Sequence, residues 1–295
     1  MKLYSTPEGI ARGASDRQLE FLELGVADLG ALLDIDPTLD RIKNADVRMR
    51  RPLAEVQLYA PVPRPGSVYC VGANFESHVA EVQTVLTSLG DEESMRATLA
   101  KLRHTPMFFS VPASSVAGPN DPIILPTLAP TQVDYEIEVA VIIGAGGKNI
   151  PVTEAMDHVA GLTLANDVSA RDIQAQAMRG QEFEYGHAKG LDSFKPMGPC
   201  LVTMDEFSVP IDIDMEAMVN DEVRQSASLS DLIHDIPKCV SYISTFHTLR
   251  PGDAILTGSP SGVGYFQGKF LRVGDVVKLT AQHIGELKNE VVVES

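Results

Sequence analysis

The sequence predicts an α+β fold rich in β-strand, on three observations. Short apolar segments recur along the whole 295-residue chain, bounded by Pro, Gly, Asn and Asp. Some of them alternate strictly, as in Ile211-Asp212-Ile213-Asp214-Met215-Glu216, which is the pattern of a half-exposed strand. Apolar residues at helical spacing are confined to a few stretches. The length suits one large domain, or one with a small appendage. We expect a small N-terminal region over residues 1–60 and the main domain over 61–295.

Taken in order, residues 1–5 read as a short strand. A helix is expected around 24–33, where Val26, Leu29, Leu32 and Leu33 fall at helical spacing. The basic stretch 41–51, interleaved with Ile42 and Val47, reads as a solvated helix face rather than a binding patch. Pro61, Pro63 and Pro65 mark a boundary. Residues 67–72 form an apolar strand, and Ala73-Asn74-Phe75 turns the chain into a helix carrying His78 and Glu81. Residues 81–104 look helical with a polar break at 90–94. A helical hairpin set between two strands is placed to act as a lid, although plain packing or a dimer contact would use the same helices. Strands follow at 107–109 and 123–125, separated by a turn-rich loop at 112–122.

The chain is organised around Asp134-Tyr135-Glu136-Ile137-Glu138-Val139-Ala140-Val141-Ile142-Ile143-Gly144, a β-branched run closed by Gly144. Beyond it, Pro151 opens a helix reaching residue 160. Residues 161–165 form a strand whose polar end, Asn166-Asp167, leads into a helix with Arg171 and Gln174. Residues 181–199, rich in Gly, aromatics and charge, read as a loop over the sheet carrying Lys189. Strands are expected at 200–204, 212–219 and 276–280, with a hairpin turn at Asn220-Asp221. A helix is expected at 230–246 from the spacing of Ile233, Ile236, Val240 and Ile243. After a turn at 249–253, the strand 254–256 enters the loop 257–264.

Composition removes several function classes. Hydrophobic residues make up 44% and charged residues 22%, ordinary soluble usage. A net charge of -16 argues against a phosphate-backbone binder, so no nucleic-acid partner is expected. No apolar run approaches the roughly 20 residues of a membrane span, and the first 13 residues lack a secretory pattern. Cys70, Cys200 and Cys239 are far apart, offer no zinc spacing and suit a reducing compartment, so the cytoplasm is the expected location.

The chemistry sits in the acidic residues. Two residues apart in a strand, Glu136 and Glu138 point to one face. Side by side they repel, and a hard divalent cation such as Mg²⁺, Mn²⁺ or Ca²⁺ removes the conflict. Asp167 offers a third oxygen ligand. Taken alone, the pair is explained as well by a solvated edge strand. His78 and Glu81, at i and i+3, share a helix face and form a base with its orienting carboxylate, a pattern that an ordinary exposed pair also satisfies. Lys189 is a candidate stabiliser of an enolate or carboxylate. Arg171 and Gln174 lie one turn apart and can meet one substrate. The loop 257–262 can cradle a carboxylate but lacks the Lys of a phosphate-binding loop.

Together these blocks resemble the fumarylacetoacetate hydrolase family from about residue 64 to the C-terminus. The matching blocks are Val71-Gly72-Ala73-Asn74-Phe75 with His78 and Glu81, Asp134-Tyr135-Glu136-Ile137-Glu138, and Ala165-Asn166-Asp167-Val168-Ser169-Ala170-Arg171-Asp172-Ile173-Gln174. They continue with Lys189-Gly190-Leu191-Asp192, Arg250-Pro251-Gly252-Asp253, the loop 257–264 and Ile284-Gly285-Glu286-Leu287. The resemblance implies a mixed β-sandwich roll with a helical lid, a homodimer, and a divalent metal held by Glu136, Glu138 and Asp167. It implies a water-activating dyad of His78 and Glu81, with Lys189 beside the oxyanion and Gln174 and Thr257 near the substrate. Departures are Val111 before Pro112, where many relatives have Lys, Ser259 where Thr is usual, and a longer lid segment.

The activity expected first is metal-dependent hydrolysis of a C–C bond in a 2,4-dioxo acid of the acylpyruvate or fumarylpyruvate kind, through an enolate. The alternatives on the same site are an oxaloacetate-type decarboxylase and an isomerase or hydratase of an unsaturated keto acid. A non-catalytic metal or small-acid binding protein is the reading from a different class.

Overall fold

The computed structural model describes residues 1–88, 92–178 and 185–294. An 11-stranded sheet runs from the edge strand Val47–Pro52 through Gln18–Leu22, Gly9–Ser15, Lys2–Thr6, Lys195–Thr203, Val159–Asn166, Ile137–Ile143, Ala254–Leu256 and Val68–Gly72 to Met107–Val111, with Val116–Ala117 paired onto Lys195–Thr203. A five-stranded sheet has the order Glu222–Ser228, Asp214–Val219, Val276–Ala281, Gly285–Val293 and Ile123–Leu125. Most pairings are antiparallel. Parallel ones join Ala254–Leu256 to Val68–Gly72, Lys195–Thr203 to Val116–Ala117 and Gly285–Val293 to Ile123–Leu125, so both sheets are mixed.

All seven residues of Ile137–Ile143 are buried because the strand is central and both its faces are covered. Val139, Val141 and Ile143 face a core shared with Met215, Ala217, Leu279 and Leu287 of the smaller sheet. Ala140 and Ile142 face the other way, onto a second core containing Leu29, Leu32 and Leu33. A solvated edge strand is therefore ruled out for Glu138, which lies within this strand. The fold is β-rich with few helices, as expected.

Several local expectations change. Residues 134–144 are not one strand: Val133–Asp134 pairs separately with Ser169–Ala170, and the chain re-enters the sheet at Ile137. The basic stretch is a four-residue helix, Asp40–Lys43, followed by an edge strand. Its period-two exposure and the pairing of Arg50 with Glu20 across the ladder account for the strand. The first helix begins only at Leu29, capped by Asp28. The late helix begins at Ile236, because Asp235 caps it and Pro237 sits in its first turn. Residues 152–158 are 3₁₀ rather than α, and strand resumes at Val159. The expected loop 181–199 ends early, at a strand that begins with Lys195; residues 181–184 lie outside the described residues. The helices Glu76–Ser88 and Glu92–His104 form the expected hairpin, with part of the expected break, residues 90 and 91, also outside the described residues. The hairpin seats on a small cluster of Val79, Leu99, Ala73, Leu102 and Ile233.

Candidate metal centre

Glu136, Glu138 and Asp167 come together as expected. All three are buried, and one oxygen from each lies within 4.8 Å of the others. Pairing brings them there. Ile137 and Glu138 register with Asn166 and Ala165, so Glu138 lies next to the end of the strand that carries Asp167. The Asp167 N–H donates to Glu136 O at 2.8 Å, and the Glu136 N–H to Asn166 Oδ1 at 3.0 Å.

Three cations surround the carboxylates. Lys189 Nζ, from the turn after Tyr185–Ala188, lies 2.9 Å from Glu136 Oε2 and 2.5 Å from Asp167 Oδ2. Arg171 donates from Nη2 to Glu136 Oε1. Lys195 Nζ lies 2.7 Å from Asp167 Oδ1. Glu138 is different: its Oε2 accepts the Gly258 N–H at 2.6 Å, and no salt bridge reaches it among the described residues. Burial and then the neighbouring Asp167 and Glu136 push its carboxyl well above the ordinary range. For Glu136, burial acts upward, but Arg171, Lys189 and His78 outweigh it and hold the carboxyl below that range. A buried, hard-oxygen trio with one carboxylate lacking a cation fits a divalent metal.

The dyad forms too. His78 Nδ1 is 3.1 Å from Glu81 Oε2, and Glu81 Oε1 accepts the Gly262 N–H at 2.9 Å. His78 packs edge-on to Phe266 and is close enough to Glu136 for its charge to act there. The helix Glu76–Ser88 thus carries the His78–Glu81 pair and is seated on the loop 258–264 through Glu81 and Ser77.

Arg171, Gln174 and Thr257 are buried. Arg171 donates from Nε to Asp134 at 2.8 Å and from Nη1 to Gln174 Oε1 at 2.8 Å, in addition to Glu136. The Thr257 hydroxyl donates to Val139 O at 2.8 Å. Cys70 Sγ is 4.0 Å from Asp167 Oδ1, and burial followed by that carboxylate raises its thiol, which suits an inert cysteine.

Sequence reasoning missed four residues that build the site. Asp134, fully buried, accepts N–H groups from Gly264 (2.7 Å) and Tyr265 (3.0 Å) while it anchors Arg171. Asn74 donates to Thr257 O (2.7 Å) and His234 O (2.9 Å) and accepts the His234 N–H. Gln225 ties the Ile137 N–H to Ser259 and Pro260 O. Lys195 is the fourth. Asp134 and Asn74 stood inside quoted blocks as polar residues in apolar runs; Gln225 and Lys195 carried no local signal.

A model of the fumarylacetoacetate (FAA) hydrolase C-terminal family matches residues 67–292. An oxaloacetate tautomerase, FAHD2A, mitochondrial, from Bos taurus is 39% identical over 280 residues, covering 93% of this chain and 79% of that protein. The oxaloacetate tautomerase YisK of Bacillus subtilis (strain 168) is 39% identical over 242 residues, covering 81% and 74%. The solved fumarylacetoacetate hydrolase EaFAH from the psychrophile Exiguobacterium antarcticum superposes with a TM-score of 0.81 at 30% identity, with all of both chains covered.

Proposed function

The chain belongs to the fumarylacetoacetate hydrolase family, and from that premise we propose that it is a divalent-metal-dependent enzyme interconverting the enol and keto forms of oxaloacetate or a similar 2-oxo diacid. The observation that carries the proposal is the buried trio of Glu136, Glu138 and Asp167, faced by Lys189 and the His78–Glu81 pair. Its support from relatives is that two proteins 39% identical to this chain are described as oxaloacetate tautomerases, which favours the isomerase alternative over C–C hydrolysis.

A divalent ion held by the trio, Mg²⁺ or Mn²⁺ in the first instance, would hold adjacent substrate oxygens and stabilise enolate charge. Lys189 adds a second positive charge on the same face, aimed at the C2 oxygen. His78, held through Nδ1 by Glu81, presents Nε2 to give a proton to C3, while the enol hydroxyl passes its proton to water, which returns one to Nε2. The exchange leaves the atom count unchanged. Arg171 serves to brace Glu136, and Gln174 and Thr257 to line the substrate space.

Hydrolysis of a dioxo acid passes through the same enolate and would use the same dyad on water; the likeness to EaFAH favours it as the second reading. The test is the decay of the oxaloacetate enol absorbance with Mg²⁺ or Mn²⁺, then with EDTA. Acceleration that EDTA abolishes supports the proposal. No acceleration by Mn²⁺-loaded protein rejects it, CO₂ release points to decarboxylation, and an acid pair from an acylpyruvate points to hydrolysis. We also propose a homodimer, tested by light scattering on the purified chain, and a cytoplasmic location, in keeping with three buried free cysteines.

A further inference from the structure

Lys195 opens the strand Lys195–Thr203 and has no exposed surface. Burying an ammonium is expensive unless every donor is met and the charge is paired, so its partners indicate its use. Nζ lies 2.7 Å from Asp167 Oδ1 and donates to Phe194 O at 3.0 Å and, more closely, to Lys189 O. It also approaches Val168 O at 3.4 Å. The other Asp167 oxygen is 2.5 Å from Lys189 Nζ. The contacts close a ring: Asp167 to Lys195, Lys195 to the Lys189 main chain, and the Lys189 side chain back to Asp167.

We propose that Lys195 is a positioning residue that locks Asp167 and Lys189 into one rigid unit, fixing the carboxylate toward the cation and the Lys189 ammonium toward the substrate oxygen. Lys195 itself is sealed from the substrate. Folding alone does not account for it, because an apolar side chain of the same length would fill a fully buried position at lower cost. Its partners account for the charge: one is a ligand carboxylate, and another is the carbonyl of the residue supplying the neighbouring cation.

The inference rests on the metal reading of the trio. The test is calorimetric titration of MnCl₂ into metal-stripped protein, comparing the unaltered chain with Lys195→Met, which keeps the length and loses the charge and donors. The expected result is cooperative melting with Mn²⁺ bound about 10- to 100-fold more weakly, and a fall in kcat that exceeds any rise in KM. Lys195→Gln supplies the same comparison if the Met variant does not fold. A folded variant whose Mn²⁺ affinity stays within twofold overturns the proposal. So does tighter binding, which would make Lys195 a repelling charge. Failure of the unaltered protein to bind Mn²⁺ overturns the metal reading beneath it, and that result is distinct from either.

Discussion

Replacing Glu138 with Gln is expected to stabilise the metal-free protein and to erase the stabilisation conferred by Mn²⁺. Glu138 is 1% exposed, and the ligand oxygens of the trio lie within 4.8 Å of one another. At that separation and an effective dielectric near 20, each like-charge pair costs about 3.5 kcal/mol. Lys189 offsets part of the two repulsions on Glu138. Protonation caps what remains: at pH 7, neutralising a carboxyl of ordinary value 4.5 costs about 3.4 kcal/mol. Gln keeps an acceptor for the Gly258 N–H, so the net gain is about 2 kcal/mol, or about 4 °C in melting temperature for a chain of this size. The sign depends on pH. Glu138 is raised in the fold, so it is neutral in both states below its unfolded value and costs nothing there. The cost grows as pH climbs from that value toward the raised one. The advantage of Glu138→Gln therefore vanishes near pH 4.5 and is large at pH 7 and above. The assay is thermal melting across pH in EDTA and in MnCl₂. At about 100 times Kd, Mn²⁺ should add about 2.7 kcal/mol to the unaltered protein and almost nothing to the variant. A variant less stable in EDTA at every pH, or one that keeps the Mn²⁺ shift, refutes the reasoning.

Other outcomes follow from the same geometry. His78→Gln should lower turnover by about 10²- to 10⁴-fold while Mn²⁺ titration stays unchanged; loss of both would give His78 a structural role. Asp134→Asn removes one buried carboxylate paired with Arg171, leaving Glu136, and should cost about 3 kcal/mol in urea denaturation, with no measurable loss counting against the brace. Gly258 has φ +103°, and a Cβ there would lie 2.7 Å from Asn74 Cβ. Gly258→Ala should therefore cost about 1–3 kcal/mol and weaken Mn²⁺ binding by displacing the N–H that serves Glu138; intact binding at native stability would show that the loop yields freely.

The acidic trio and the His78–Glu81 pair were legible in the sequence because local patterns put them forward and the family resemblance then favoured them over a solvated edge strand and an ordinary exposed pair. Carboxylates next to an unbroken apolar run, and a His three residues before a Glu on one helix, are patterns visible in the chain itself, and the order of the matching blocks gave them their meaning. Strands such as Ile123–Leu125 and Val68–Gly72, bounded by Pro or Gly, are likewise visible in the chain itself. Helix starts were overrun because caps decide them: Asp28 and Asp235 stop the backward extension that apolar spacing alone invites. Val47–Pro52 was hidden because alternating Arg on an edge strand also fits a solvated helix. Gln225 and Lys195 lay beyond reach, since each acts on groups brought near only by folding. For Gln225 those are residues 88 and 34 positions away.

The strand Ala254–Leu256 slots between Ile137–Ile143 and Val68–Gly72, two segments made much earlier in the chain. The loop after it supplies Gly258 to Glu138 across 120 positions, and Thr257 to Asn74 across 183. A growing chain that has reached residue 250 already owns all three carboxylates of the acidic trio, yet has a gap where this strand belongs. Such long-range closures fold slowly, and the unfilled gap exposes two strand edges to wrong partners. Ion capture should therefore be among the last steps of maturation. A refolding experiment that follows Mn²⁺ uptake beside backbone structure should see the ion arrive after most of the sheet has formed.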